Sequence, residues 1–202
     1  WQEFINALTT NLTAFFREQH HFEVLQQMMA AKRNHNWRIW CSAASTGEEP
    51  YSIAMTASET LGAGGQFHIV NSDIDTKVLA TAARGVYKAD NVKGLSAERT
   101  QRFFMRGKGA NAGFIRVKPE LQKHMEFMAI NLIQELPLRE AFDVVFCRNV
   151  MIYFDGPTQR QVLERIHRVM KPGGTLFVGH AENFSDARSL FALRGKTVYE
   201  RV

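Results

Sequence analysis

The sequence is poor in cysteine. Cys41 and Cys147 are the only two in 202 residues. Each sits in an apolar, strand-like run, so a disulfide framework is excluded and buried free thiols in a reducing compartment are expected. No apolar run approaches the roughly 18–20 residues that cross a bilayer, and no basic-then-apolar leader pattern opens the chain. Membrane insertion and secretion are therefore not expected, and the location read from the sequence is cytoplasmic. No metal-ligand spacing occurs: His20 and His21 are adjacent rather than one helical turn apart, so no metal is expected. The loop Ala43-Ala44-Ser45-Thr46-Gly47 holds one glycine where a dinucleotide fingerprint needs three, and no Gly-Lys-Ser/Thr occurs, which excludes a P-loop. Internal repeats and low-complexity tracts are absent. The chain opens on Trp1 rather than Met, the pattern of a piece of something longer.

What is present is ordinary globular material, with 45% hydrophobic and 22% charged residues, and this argues against disorder. Its length suits one sizeable α/β core with a small insert. The formal net charge is +5, which favours an anionic partner. Much of the excess lies between Arg99 and Lys123, where Arg99, Arg102, Arg106, Lys108, Arg116, Lys118 and Lys123 face one acid, Glu120. That stretch reads equally as a solvated basic face or as a docking surface.

Apolar periodicity then divides the chain. Residues 1–33 read as a helical linker, with Phe22, Leu25, Met28 and Met29 at helix spacing. Strands are expected at Trp37–Ser42, Phe67–Ser72, Met125–Ile130, Phe142–Cys147, Thr175–Val178 and Thr197–Glu200. Helices are expected from about Glu48 to Leu61, from Asp75 or Thr76 to Arg84, over Ala97–Phe104, and from Pro157 to about Met170. Pro50 and the acidic pair before it suit a first helical turn, and Lys171-Pro172-Gly173-Gly174 stops the last helix. Strand candidates at Phe103–Arg106 and Phe114–Val117 flank a Gly-rich loop, so residues 101–123 read as a small antiparallel β insert within a 34–202 domain. Strands alternating with helices predict an α/β, doubly wound, mostly parallel sheet.

Such sheets bind ligands beyond the carboxyl ends of their strands, so the polar residues there are the candidate site. They are Ser45-Thr46-Gly47-Glu48, Asp73, Asn131 and Arg148-Asn149. Glu48 suits a cationic group rather than a phosphate. A carboxylate such as Asp73 accepts from two ribose hydroxyls, although Asp73 and Asp75 serve equally well as helix caps. Asn131 can read an adenine edge or simply make a turn. The apolar-aromatic run Val150–Phe154 either lines a substrate channel or forms an ordinary core loop.

Several blocks in order carry a resemblance: Thr10–Glu18, ASTGEEPYS from Ala44, SDID from Ser72, FCRNVMIYFD from Phe146 and GHAENFS from Gly179. In these the chain resembles the CheR-type chemotaxis receptor glutamate methyltransferases over nearly its whole length. The resemblance implies a class I, Rossmann-like S-adenosylmethionine (AdoMet) methyltransferase fold, with S-adenosyl-L-homocysteine as product. It implies AdoMet contacts at Asn11, Thr13, Arg17, Glu48, Asp73, Asn131, Leu132, Arg148 and Asn149. It also implies that a preceding helical domain is largely missing here, and that the insert is similar to the small β-subdomain with which some members hold a receptor C-terminal peptide.

The implied reaction is methyl transfer to receptor glutamates, giving methyl esters. A glutamate with an ordinary pKa of about 4.3 is already ionised at neutral pH, so no general base is needed. Arg17 is expected to grip a carboxylate and Tyr153 to line the transfer channel, and these two are the catalytic candidates. Arg106 and Arg116 are the docking candidates toward acidic helical receptor bundles. A nucleic-acid substrate is not expected, because the Arg148-Asn149 stretch lacks the Asn-Pro-Pro-aromatic loop of amino-group methylators.

Overall fold

The computed structural model describes residues 12–139, 141–184 and 187–202. After a non-helical stretch over 12–19, helix α1 spans His20–Ala31. Then follow β1 (Trp37–Cys41), α2 (Glu48–Leu61), β2 (Phe67–Asp73), α3 (Thr76–Arg84), β3 (Val86–Lys88), α4 (Ala97–Phe103), β4 (Phe104–Arg106), β5 (Phe114–Val117), α5 (Pro119–Gln122), β6 (Met125–Ala129), β7 (Phe142–Cys147), α6 (Gly156–Val169), β8 (Met170–Val178), β9 (Phe191–Gly195) and β10 (Val198–Arg201).

The main sheet has seven strands in the order β6-β2-β1-β7-β8-β10-β9. The pairs from β6 to β8 are parallel, and β10 and β9 add antiparallel at one edge. Alternation of side chains across the strands builds two cores. Ile39, Cys41, Val144 and Phe146 point to the face covered by α1 and α2, while Trp40, Val145 and Cys147 point to the face covered by α6. This two-sided burial is why these strands read as unbroken apolar runs. Cys41 and Cys147 are both buried and free.

The chain runs outward from β1 through β2 to β6 and then returns to the other side of β1 as β7. The order therefore reverses between β1 and β7. Loops leaving the two strands diverge there and open a crevice beyond their carboxyl ends.

Local chemistry sets the helix starts that face this crevice. Gly47 has φ +103, and a Cβ on it would lie 2.5 Å from the Tyr87 hydroxyl and 3.0 Å from Ala82. Only glycine fits a left-handed turn pressed this closely. Asp75 caps α3, accepting from the N–H groups of Lys77 at 2.9 Å and Val78 at 3.3 Å. Asp155 caps α6 through the Thr158 N–H.

The structure departs from the sequence reading in three places. The insert is a three-stranded sheet, β3-β5-β4, rather than a hairpin, because β3 is recruited from just after α3. Three residues with one buried side chain, Tyr87, show no period. β9, mostly exposed, likewise carried no strand signal. The described part of the N-terminal segment is helical only from His20. Phe16 and Glu18 are left-handed there, drawn out of a helix by tertiary bonds: Phe16 N–H donates to Ser52 Oγ at 2.9 Å, and Arg148 donates to the Arg17 carbonyl. No helix among the described residues is long and apolar enough to cross a membrane.

Candidate functional site

A cavity of about 400 Å³ lies at the reversal point, lined among others by Thr13, Arg17, Asp73, Asn131, Leu132, Arg148, Asn149 and Tyr153. Most of the strand-end residues are thus brought to one hollow, joined by Thr13 and Arg17 from the N-terminal turn. Glu48 does not line it; Glu49 does. Asn11 lies outside the described residues.

Asp73 ends β2 and is 8% exposed. Its two oxygens accept the N–H groups of Asp75 at 2.9 Å and Ser45 at 2.8 Å. A backbone bond from Ile74 also supports the charge, so of the roughly four lone-pair directions of this fixed carboxylate at least one stays open. Because Asp75 is the helix cap, Asp73 is released from that duty. Burial pushes the Asp73 carboxyl above its ordinary range, against the backbone bonds from Asp75 and Ser45 that favour the charge. Asn131 uses its side-chain oxygen to accept the Ile133 N–H at 3.1 Å, an Asx turn that leaves the residue facing the cavity beside Leu132. Ile74, Ile130 and Leu132 supply apolar walls.

Arg148 joins the two halves of the site. Its side chain is 1% exposed and bonds Glu49 at 2.7 Å, with Glu18 at 3.7 Å. Its second terminal nitrogen donates to the Arg17 carbonyl, fixing the N-terminal turn to the end of β7. Its Nε has no hydrogen-bond partner. Burial raises the Glu49 carboxyl, with Arg148 the chief opposing influence. In Glu18, burial also works against ionisation, but Arg148 and His180 outweigh it and the carboxyl is lowered.

Glu48 is buried and accepts from Thr46 Oγ1. Adjacent helix positions point in different directions, which is why Glu48 and Glu49 part company here. Arg17 donates to the Leu12 carbonyl at 3.0 Å. Tyr153 is 61% exposed at the cavity mouth. Arg106 and Arg116 sit elsewhere, on the exposed face of the small sheet, beside a shallow groove that also touches Val86, Met105 and Phe114.

Sequence reasoning missed Glu49, Glu18 and Glu182. Glu49 lay beside a residue of the same type, and Glu18 and Glu182 fell within motif blocks whose individual members had no assigned task.

The pieces fit a nucleoside carrying a cationic tail. A cavity of this size falls within the roughly 300–1,000 Å³ of small-molecule sites; it offers a buried acid for a diol, an amide for a base edge and apolar walls for a ring. Fold and site together define an α/β enzyme of the AdoMet-dependent methyltransferase class. Comparison with known proteins agrees. The family model described as "CheR methyltransferase, SAM binding domain" matches residues 11–199. The chain is 52% identical over 201 residues to the chemotaxis protein methyltransferase of Escherichia coli K12, spanning 98% of this chain and 70% of that one. It is 50% identical over 202 residues to chemotaxis protein methyltransferase 2 of Pseudomonas aeruginosa, spanning 98% and 72%. Among solved structures, the CMeT domain of the citrinin polyketide synthase superposes with a TM-score of 0.52 at 17% identity, over 79% of this chain and 33% of that one, a likeness of fold alone. The chain belongs to the CheR methyltransferase family, AdoMet-dependent methyltransferases of chemotaxis, through its SAM-binding domain.

Proposed function

We propose that this domain esterifies glutamate side chains of chemoreceptors in the cytoplasm, with Asp73 holding the ribose of AdoMet and Asn131 and Leu132 its adenine. The observation that carries this reading is the convergence of Thr13, Arg17, Asp73, Asn131, Arg148 and Asn149 on one cavity. AdoMet supplies an activated methyl group; everything else falls to the chain. Glu49 lines the cavity but is already paired with Arg148, so the negative field that it offers a cationic tail is partly offset. Arg17, at the rim, grips a carboxylate. Tyr153 at the mouth aligns the incoming glutamate.

In the transfer, a glutamate oxygen forms a bond to the methyl carbon as the sulfur–methyl bond breaks. The sulfur keeps the electron pair, and the products are a neutral ester and S-adenosylhomocysteine. No proton moves, so the chain needs no base; it has to align the partners and exclude water. Docking is assigned to the basic small sheet with Arg106 and Arg116, which suits acidic receptor bundles and an extended receptor C-terminal peptide along its groove. In the basic stretch Phe103 and Phe104 are buried and only Phe114 is exposed, which removes the stacking platforms that a single-stranded nucleic acid would use.

The test is transfer of a radiolabelled methyl group from AdoMet to receptor-containing membranes. Methyl esters release volatile methanol in mild alkali, and methylated amines do not. Alkali-labile label on the receptor is the expected result; alkali-stable label, or none, contradicts the proposal.

A further inference from the structure

The turn that follows β7 lines the cavity through Arg148, Asn149 and Val150, and its shape is not set by its own sequence alone. Asn149 is held at φ +59, a left-handed conformation that is sparsely populated outside glycine. What holds it is Glu182, which lies beyond the carboxyl end of β8, is 5% exposed and does not line the cavity. The Glu182 carboxylate accepts four backbone N–H groups. Oε1 takes Val150 at 3.0 Å and Met151 at 2.8 Å; Oε2 takes Asn149 at 3.0 Å and Gly179 at 2.6 Å. The Glu182 N–H in turn donates to the Gly179 carbonyl at 2.9 Å. Gly179 completes the clasp: a Cβ there would stand 2.5 Å from Asn149 Nδ2 and 3.0 Å from both the Asn149 nitrogen and Glu182 Oε2.

A carboxylate has about four lone-pair directions, and here each meets a backbone donor. Such charge-assisted bonds are short and strong, and no neutral side chain can replace the set. A glutamine would accept two of the four N–H groups with its oxygen and present its own amide hydrogens to the other two.

We infer that Glu182 is a positioning residue for methyl transfer: it holds the Asn149–Met151 turn so that Asn149 meets AdoMet and Tyr153, one turn further on, meets the glutamate acceptor. This rests on the reading of the cavity as the AdoMet site. Glu182 touches neither partner, so its effect on binding passes through the turn.

The test compares the full chain with Glu182→Gln and with Leu61→Ala. Leu61 is a core residue at the far end of α2 from the site, so its truncation destabilises without reshaping the turn. S-adenosylhomocysteine is titrated calorimetrically at a temperature where far-UV circular dichroism shows all variants folded. Glu182→Asp is measured alongside; its shorter stem withdraws both oxygens, and a loss is expected from it as well, which keeps the test open if Glu182→Gln does not fold. The expected result is binding weakened about tenfold or more in the Glu182 variants, unchanged in Leu61→Ala, with a raised KM for AdoMet and a lowered kcat in receptor methylation. Glu182 variants that bind and turn over like the unsubstituted chain would overturn the inference. Failure of the unsubstituted chain itself to bind would instead remove the cavity assignment beneath it.

Discussion

At the scale of single residues, the site is a set of buried charges kept compatible by their neighbours. Arg148 is the clearest case: it reads in the sequence as a polar end to an apolar strand, and in the structure it is paired with Glu49 and braced by the Arg17 carbonyl. Its position was legible because a charged residue after a core strand has few structural uses. Its partners were not, because they come from segments about 100 and 130 residues away in the chain. His21 shows the consequence of such crowding. It is fully buried, bonds Thr197 Oγ1 at 2.7 Å, and burial, followed by the nearby Arg148 charge, lowers its pKa to about 3. An unfolded histidine titrates near 6.5, so between those two pH values the unfolded chain binds the extra proton and the folded chain does not. Stability from this group is complete above pH 6.5 and drains away as the pH falls toward 3, by up to about 1.4 kcal/mol per pH unit. Replacing His21 by Gln, which keeps a polar contact without titrating, is expected to flatten the pH dependence of unfolding free energy between pH 6 and 4. An undiminished slope in urea melts of that variant would assign the acid sensitivity to other groups.

At the scale of elements, the crevice depends on how the small sheet grips the loop after β1. Tyr87, the single buried residue of β3, donates its hydroxyl to the Thr46 carbonyl at 2.8 Å, and its ring takes the Phe15 edge at 5.2 Å. One side chain therefore ties the loop before α2, the N-terminal turn and the small sheet together. Tyr87→Phe keeps the ring contact but leaves a carbonyl unpaired, and a loss of about 1–3 kcal/mol in stability is expected, together with weaker S-adenosylhomocysteine binding. Thermal melts and calorimetry check both; a variant that matches the parent in each measurement would show that the grip is not used. Elements of this kind are where sequence reading ran short. The parallel strands and α6 announced themselves through long apolar periods and boundary residues such as Pro157, whereas β3 and β9 are short, half-exposed and defined only by what they pair with.

At the scale of the whole molecule, the two functions proposed for the domain sit on different structures. The cavity assigned to the co-substrate lies at the reversal point of the main sheet, and the basic face proposed for docking lies on the small one. Reversing charge at Arg106 and Arg116 together is thus expected to weaken association with acidic receptor fragments and reduce its salt dependence, since exposed charges act through screened long-range attraction, while leaving co-substrate binding untouched. Pull-down across a salt series, with calorimetry as control, measures both. Unchanged receptor association would move the docking role away from the insert. The overall architecture was readable because alternation of strands and helices has few solutions, and the convergence of Asp73, Asn131 and Arg148 on one cavity was readable because those solutions place strand ends together. The choice between Glu48 and Glu49 was not, since it turns on the direction of one helical step.

As proposed, Asp73 presents its buried carboxylate to the ribose of AdoMet inside a cavity shared with Asn131 and Arg148. Calorimetric titration of S-adenosylhomocysteine into the chain and into Asp73→Ala tests it most directly. One site per chain, with affinity reduced by at least about tenfold in the variant, is the predicted result. Equal affinity in the two proteins would contradict it.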